Sequence, residues 1–447
     1  MYSAVINSWP LLLGIGLLML GNGLQGSLVG IRASLEGFPT ATTGFIMSAY
    51  YAGFLFGSYI TPKILGNVGH VRVFAALASL ASSAALLYVV FVDPIVWGFM
   101  RLITGFSYAG LYIVCESWLN DVATNETRGQ LLSVYMIIMM GGLALGQLFL
   151  NIADPGGFTL FVVISVLVSL ALIPLALTAA PAPNFMQITR LSLRKLYKIS
   201  PLGVVGMTAQ GTIAGAFYGM AAVYGEKIGL SIAQISTFIS IVVFSGVLLQ
   251  WPIGKLSDRF DRRQVIFVTT VFSGAAAIFT MIAAENNLLL YFLLGAGLFG
   301  GFSIPLYSLC IAHTNDYLEP SDMVAASSGL MLVNGIGAVF GPIIVGQLMS
   351  TVGTYIFFGL IAAGHLGIGV FALMRMVMNT ATPLEDQGDF VAMPMRSGLA
   401  AAAMNPETEE WEEEPEEEEQ VLSEQSEEEE EVPELMDDGP ALGSPNP

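Results

Sequence analysis

Twelve apolar stretches, each long enough to cross a bilayer as a helix, leave this chain little choice of fold. A membrane-spanning α-helix needs about 20 predominantly apolar residues. Such stretches run approximately over 8–30, 42–61, 72–91, 95–119, 130–152, 158–178, 202–223, 233–254, 264–284, 288–312, 324–349 and 354–374. Inside lipid every backbone N–H and C=O must be satisfied within the protein, so stretches of this kind fold as helices. The expected fold class is an all-α integral membrane protein with twelve transmembrane helices. The first stretch is read as an uncleaved helix, because no basic residue precedes it and its apolar core outruns the roughly 7–15 residues of a signal peptide.

Composition supports this reading once the chain is divided. The whole is 54% hydrophobic and 11% charged, with a mean hydropathy of +0.70 and a formal charge of −19. Residues 1–375 hold 15 Lys and Arg against 13 Asp and Glu, whereas 376–447 hold one Arg and 22 Asp and Glu. The acidity therefore belongs to a tail. From about Thr380, with Glu412-Glu413-Glu414-Pro415 and the run Glu427 to Glu431, that tail has too little apolar surface to bury a core and is expected to be disordered. Two readings stay open for it: a solvated tail without a dedicated partner, or an inhibitory or docking arm that reaches the basic loops around Arg194 and Arg262.

Lys and Arg in short loops stay on the cytoplasmic side. With both termini inside, the inner loops and tail hold thirteen basic residues, among them Lys63, Arg72, Arg128, Lys195 and Arg263, while the outer loops hold only Arg32 and Lys227. Arg101 alone remains within a span. The longest connection before the tail, 179–201, carries Pro181, Pro183, Arg190, Arg194, Lys195 and Lys198, and reads as a cytoplasmic linker between two six-helix halves, 1–178 and 202–375.

The halves are related by an internal repeat. At an offset of 195, Gly105 falls on Gly300, Tyr112 on Tyr307, Cys115 on Cys310, Asn120-Asp121 on Asn315-Asp316, Gly142 on Gly337 and Gly146 on Gly341. Parallel six-helix repeats about an axis along the membrane normal are a transporter architecture, with the substrate site between the halves near the midplane.

Several motifs resemble the major facilitator superfamily. The loop after span eight, Gly254 to Arg263, reads G-K-L-S-D-R-F-D-R-R and is similar to that family's G-x-L-x-D-R-x-G-R-R signature. The loop after span two keeps the length, Gly66, Gly69 and Arg72, but has Thr61-Pro62-Lys63 where the family usually has its acid. Arg101-x-x-x-Gly105 resembles the R-x-x-x-G motif of span four, and Asp121 stands seven residues before Arg128, at the family spacing. Gly337-x-x-x-Gly341-Pro342 resembles the antiporter glycine-proline motif but sits in span eleven, and span five has Gln147 after Gly142-x-x-x-Gly146, so antiport does not carry over. More narrowly, Gly53-Phe-Leu-Phe-Gly57, Gly69-His70-Val71-Arg72 and Glu116-Ser117-Trp118 resemble the bacterial YcaD-type transporters, which bring no substrate with them. The resemblance implies a multi-pass protein of the bacterial inner (plasma) membrane.

Candidate site residues follow from charge and amide placement. A charge at the depth of Arg101 costs about 2.5 kcal/mol or more unless it faces water or a partner, so Arg101 looks into the bundle, as a substrate or coupling contact or as a structural arginine. Glu116 is the only other charged group placed at depth, either a proton-coupling site or a solvated interfacial acid. Asn22 and Gln25 share a helix face. By the resemblance, helices one, four, seven and ten line the cavity, which brings Asn22, Gln25, Tyr112, Gln210, Tyr218, Tyr307 and His313 near substrate; Asn334 of span eleven joins this polar, mostly uncharged set. Gly254, Asp258, Arg259, Arg262 and Arg263, with Asp121 and Arg128, form the expected gating latch, since basic groups pair with the partial negative charge of helix C-termini.

No phosphate-binding loop G-x-x-x-x-G-K-[ST] occurs, no catalytic or metal-ligating constellation stands out, and no cofactor or nucleic-acid partner is expected. Cys115 and Cys310 offer neither a disulfide framework nor a metal spacing. The chain is read as no enzyme but a monomeric secondary transporter of a small solute by alternating access, proton-coupled, in a lipid bilayer. The alternative is a transporter-like receptor or regulatory membrane protein that binds without transporting.

Overall fold

The computed structural model describes residues 8–177, 191–378, 383–384, 387–395 and 399–405, and among these it contains helices and no strand. The first half comprises α1 (Trp9–Leu35), α2 (Thr40–Val68), α3 (His70–Val90), α4 (Pro94–Val122), α5 (Asn125–Leu148) and α6 (Thr159–Ala176). A short helix, α7 (Leu193–Ile199), belongs to the linker. The second half comprises α8 (Pro201–Lys227), α9 (Ile232–Ser257), α10 (Arg262–Glu285), α11 (Leu289–Ser303), α12 (Pro305–Asn315), α13 (Pro320–Thr351) and α14 (Ile356–Met378).

The helices start where their sequences supply caps. Asp93 accepts from the Ile95 and Val96 amides ahead of Pro94 at 2.9 and 3.1 Å, and Ser231 with Gln234 forms a reciprocal capping box at α9. Among the described residues ten helical segments are long and apolar enough to span a membrane, counting α11 and α12 as one. The two other expected spans, α2 and α8, are long enough but less apolar on average, and both face the junction of the halves.

Span ten is broken. Pro305 has no N–H to donate, and Tyr307 turns its amide to the Ile304 carbonyl, leaving the Ser303 carbonyl to accept from Gln210 Nε2 at 2.9 Å.

The repeat reappears in the packing. Gly142 lies against Gly16 and Met19 and Gly146 against Leu20 and Gly23, bringing α5 onto α1, and their repeat partners Gly337 and Gly341 bring α13 against the Thr208–Ala216 stretch of α8. In both pairs a β-carbon would strike the backbone of the opposite helix, the close approach that small residues permit between membrane helices.

The halves meet directly toward the end away from the linker. Gly44 of α2 lies on the Pro342 carbonyl of α13, Asn151 donates to Ser236 at 2.9 Å, and Ser240 donates to the Ala144 carbonyl at 2.9 Å. The opposite end carries α7 and the Gly254–Arg263 loop and is called the basic end below.

Candidate functional site

A cavity of about 620 Å³ lies between the halves, on the basic side of these contacts. From α2 come Tyr50, Tyr51, Phe54, Leu55, Ser58 and Tyr59; from the second half come Ala214, Tyr218, Tyr307, Met331, Asn334, Val339 and Phe340. The reason lies in the pattern of α2. Tyr51, Leu55 and Tyr59 recur every four residues and so share one face, while Gly53 and Gly57 lie against α4. The lining is aromatic, aliphatic and thioether, its polar groups are hydroxyls and one amide, and it includes no charged side chain.

Of the expected substrate residues, Tyr218, Tyr307 and Asn334 line this cavity, and Gln210 borders a small recess beside it with Tyr218 and Ser303. Asn334 Nδ2 donates to the Met207 carbonyl at 3.0 Å, so that amide joins two helices as well as facing the cavity. Asn22 and Tyr112 stand one layer behind: Asn22 Nδ2 donates to the Tyr112 hydroxyl at 2.6 Å and to the Tyr50 hydroxyl at 3.2 Å, and Tyr112 donates to Met19 Sδ at 3.1 Å. Gln25 is buried with no hydrogen-bond partner at either side-chain atom. His313 is buried against the edge of Tyr317, away from the cavity lining.

Arg101 is 4% exposed. Its Nη2 donates to Met47 Sδ at 3.3 Å, its guanidinium lies 5.1 Å from the Tyr50 ring centroid, and its Nε has no partner. No carboxylate among the described residues pairs with it. Tyr50 thus stands between this cation and the cavity.

Glu116 is fully enclosed, which corrects the reading of it as a solvated interfacial acid. It accepts from the Tyr135 hydroxyl at 2.7 Å and from the Ala401 amide at 3.2 Å.

Of the residues expected to form a latch, Asp258 and Arg262 are in contact in the second half. Arg262 is buried; it bonds Asp316, donates to the Ala312 carbonyl at 3.1 Å, reaches Asp258 at 3.4 Å, and donates to the Gly388 carbonyl. Arg263 forks onto Asp261 with Nη2 at 2.8 Å, and Asp261 also caps α10 through the Arg263 amide at 2.9 Å. Burial would raise the Asp261 carboxyl, but the hydrogen bonds and charge of Arg263 outweigh it and hold the group below its ordinary value. Gly254 lies under the Phe390 ring, and Arg259 is exposed. Asp121, the repeat partner of buried Asp316, is exposed, and Arg128 is half-buried in the first turn of α5. These contacts therefore differ between the two halves.

The acidic tail has two parts. Beyond 405 it lies outside the described residues, but before that a stretch packs at the basic end. Phe390 donates its amide to Asp258 at 2.9 Å, Met393 hydrogen-bonds Ser308 through both its amide and its carbonyl, and a 3-10 helix over Leu399–Met404 lies against α4 and α13.

Residues missed from sequence are the α2 aromatics and this tail stretch. A signal existed for each. Tyr51, Leu55 and Tyr59 form a stripe opposite a glycine stripe, and residues 390–406 contain no Asp or Glu within a tail otherwise full of them.

Among the described residues no group of three or more His, Cys, Asp or Glu is placed to hold a metal ion, and Cys115 and Cys310 are free and buried.

Comparison with known proteins gives the family. The Major Facilitator Superfamily model matches residues 199–406, and the Sugar (and other) transporter model matches residues 22–194. The chain is 30% identical over 381 residues to an "uncharacterized MFS-type transporter YcaD" of Salmonella typhi, covering 84% of this chain and 97% of that one. It is 29% identical over 379 residues to the YcaD protein of Escherichia fergusonii, with the same coverage. Solved structures share the fold: the nucleoside transporter NupG (15% identity, TM-score 0.67, covering 84% of this chain and 100% of that one) and a D-xylose-proton symporter (14%, 0.67, 82% and 97%). A bacterial homologue of the human lysosomal transporter Spinster, inward-facing and occupied, matches with a TM-score of 0.66 at 14% identity, covering 86% and 98%. With transporter models over both halves and a 30% identical relative matched along nearly its whole length, this multi-pass membrane chain belongs to the major facilitator superfamily.

Proposed function

We propose that the protein is a secondary transporter that moves a small amphipathic solute through the cavity between its halves by alternating access. The observation that carries this is the cavity itself: both halves supply its walls, direct contacts close one end, and its lining is ring-rich and uncharged. A polyhydroxylated solute such as a sugar needs a dense set of fixed donors and acceptors, because each polar group left unpaired on desolvation is costly. Here the lining has tyrosine hydroxyls, Ser58 and an Asn334 amide already engaged with Met207. An aromatic or aliphatic body with few polar groups fits better.

In this reading the basic end faces the cytoplasm, both termini lie inside, and the rocking units are 1–178 and 202–375. Glu116 is the proton site, enclosed in this conformation and opened in another, and Arg101 meets either the polar end of the solute or the coupling step through Tyr50. The protein works as a monomer.

The test is a thermal-shift screen of the purified protein with indole, benzoate and glucose, read with a thiol-reactive fluorophore, because Cys115 and Cys310 are both buried until the bundle opens. Ligand at 100 times its Kd adds about 2.7 kcal/mol of apparent stability. A shift with indole or benzoate, lost in Tyr218→Ala, is expected. A shift with glucose alone overturns the assigned class. Binding in the screen without movement in proteoliposomes would favour a receptor.

A further inference from the structure

One stretch of the tail touches both halves at the basic end. On the side of the second half, Arg262 donates to the Gly388 carbonyl, the Phe390 ring covers Gly254, and the Phe390 amide donates to Asp258. Ser308, which already accepts from Gln250 Nε2 at 2.8 Å, receives the Met393 amide at 3.0 Å and donates to the Met393 carbonyl at 3.2 Å. Met393 is 2% exposed, and Met395 projects into the cavity and its adjoining recess, sharing both with Ala214 and Tyr218. On the side of the first half, the Ala401 amide donates to Glu116, and Ala401 and Ala402 are buried.

The sequence agrees with this placement independently. Residues 390–406, F-V-A-M-P-M-R-S-G-L-A-A-A-A-M-N-P, carry no acid, although 22 acids fill the rest of 376–447. An apolar island between strongly acidic stretches has no use in water, whereas an interior site accounts for its methionines and alanines.

We propose that the tail residues 388–395 and 399–404 form a tethered plug: the tail folds back into the mouth of the cavity, closes the route from the cavity to the basic end, and ties the two halves together there. This rests on the reading of the cavity as the transport path. Alternating access requires the halves to move relative to one another at that end, and a segment holding Glu116 on one side and Ser308 and Arg262 on the other must leave before they do. While Ala401 holds Glu116, that carboxylate is also shut off from the cytoplasm.

The test needs no transported solute. In the full chain carrying Cys115→Ala, Cys310→Ala and Ala214→Cys, a membrane-impermeant maleimide is added from the basic side of oriented vesicles and the labelling rate at position 214 is measured. Met395→Asp places a charge in an apolar recess and should expel the segment. A plug seated in nine molecules of ten leaves one tenth open, so the variant should label about tenfold faster. A chain ended after Met378 should label as fast as the variant, which controls for any disturbance caused by the aspartate alone. A further variant, Ser308→Ala, removes the hydroxyl that bonds Met393 through both its amide and its carbonyl and should also speed labelling. Equal labelling in all of these chains overturns the plug. Fast labelling in these variants with no ligand found or moved keeps the plug and removes the transport reading. Intact transport with equal labelling removes the plug alone.

Discussion

Arg101→Met separates a functional arginine from a structural one by the sign of its effect on stability. Arg101 is 4% exposed, and no carboxylate among the described residues neutralises it. Its contacts are a thioether sulfur at 3.3 Å and the Tyr50 ring at 5.1 Å. A cation within a membrane helix costs about 2.5–3.5 kcal/mol on insertion scales, and a desolvated cation–π contact returns about 2 kcal/mol. Methionine keeps the packing of the stem and removes both terms, so the variant should gain about 1 kcal/mol. With unfolding entropy near 2.1 cal/mol/K per residue over the membrane part, that raises Tm by about 1 °C. Transport or solute binding should nevertheless be lost. An arginine that held the helices together would behave in the opposite way, costing about 3–5 kcal/mol and lowering Tm by several degrees. The thiol-reactive melt on wild type, Arg101→Met and Arg101→Lys decides between them. A drop in Tm, or uptake equal to wild type in Arg101→Met, refutes the reasoning.

Three further outcomes are expected. Glu116→Gln keeps one oxygen to accept from Tyr135, replaces the oxygen that accepts the Ala401 amide with a donor, and removes the charge, so uptake driven by a pH gradient should lose its gradient dependence while solute binding persists; an unchanged response to the gradient in proteoliposomes excludes Glu116 as the proton site. A side chain at Gly105 would strike the Tyr50 carbonyl where α2 and α4 approach most closely, so Gly105→Val should cost about 1–3 kcal/mol or more and shift the protein out of the monodisperse peak in size-exclusion chromatography. The Asp261 carboxyl is held low by Arg263, so its contribution to stability is full above the ordinary carboxylate value and disappears as pH falls through the lowered one. Melting profiles of wild type and Asp261→Asn should therefore converge in acid and diverge toward neutral pH, and parallel profiles would exclude that role.

The fold was legible because its causes are local. Span length, loop charge and the 195-residue repeat each report a property carried by a stretch of chain, and the family motifs lie within single loops. The site was legible only in part because it is made by juxtaposition. Tyr218, Tyr307 and Asn334 were read as cavity residues and line it, but α2 contributes more of the wall than α1, and its aromatic stripe, visible in the sequence, does not say which helix it meets. Asn22 and Tyr112 read as substrate contacts because polar groups in a membrane are conspicuous; in the structure they hydrogen-bond to each other and to Tyr50, one layer away from the cavity. Glu116 read as interfacial from its position near a helix end, whereas a tail segment 285 residues further along the chain encloses it. The tail's overall charge concealed the apolar island, since charge summed over 376–447 says nothing about its distribution.

The asymmetry of the latch and the position of the island bear on each other. In the second half Arg262 bonds Asp316, whereas the equivalent Asp121 of the first half is exposed, and the last turns of α2 have Thr61-Pro62-Lys63 where the family usually has an acid. A half without its own complete latch needs some other tie at this end. The tail supplies one: it rests on Arg262, Asp258 and Gly254 of the complete latch and reaches across to Glu116. Because Arg262 holds Asp316 and the Gly388 carbonyl at once, breaking the latch also loosens the tail, and the two events become one step. Arg262→Ala should then speed maleimide labelling at position 214 about as much as removal of the tail does, while Lys195→Ala, which removes a separate, exposed ion pair with Asp322 (3.4 Å) at the same end, should leave labelling unchanged. Equal acceleration by both variants would mean that general loosening of the basic end, not release of the tail, opens the cavity.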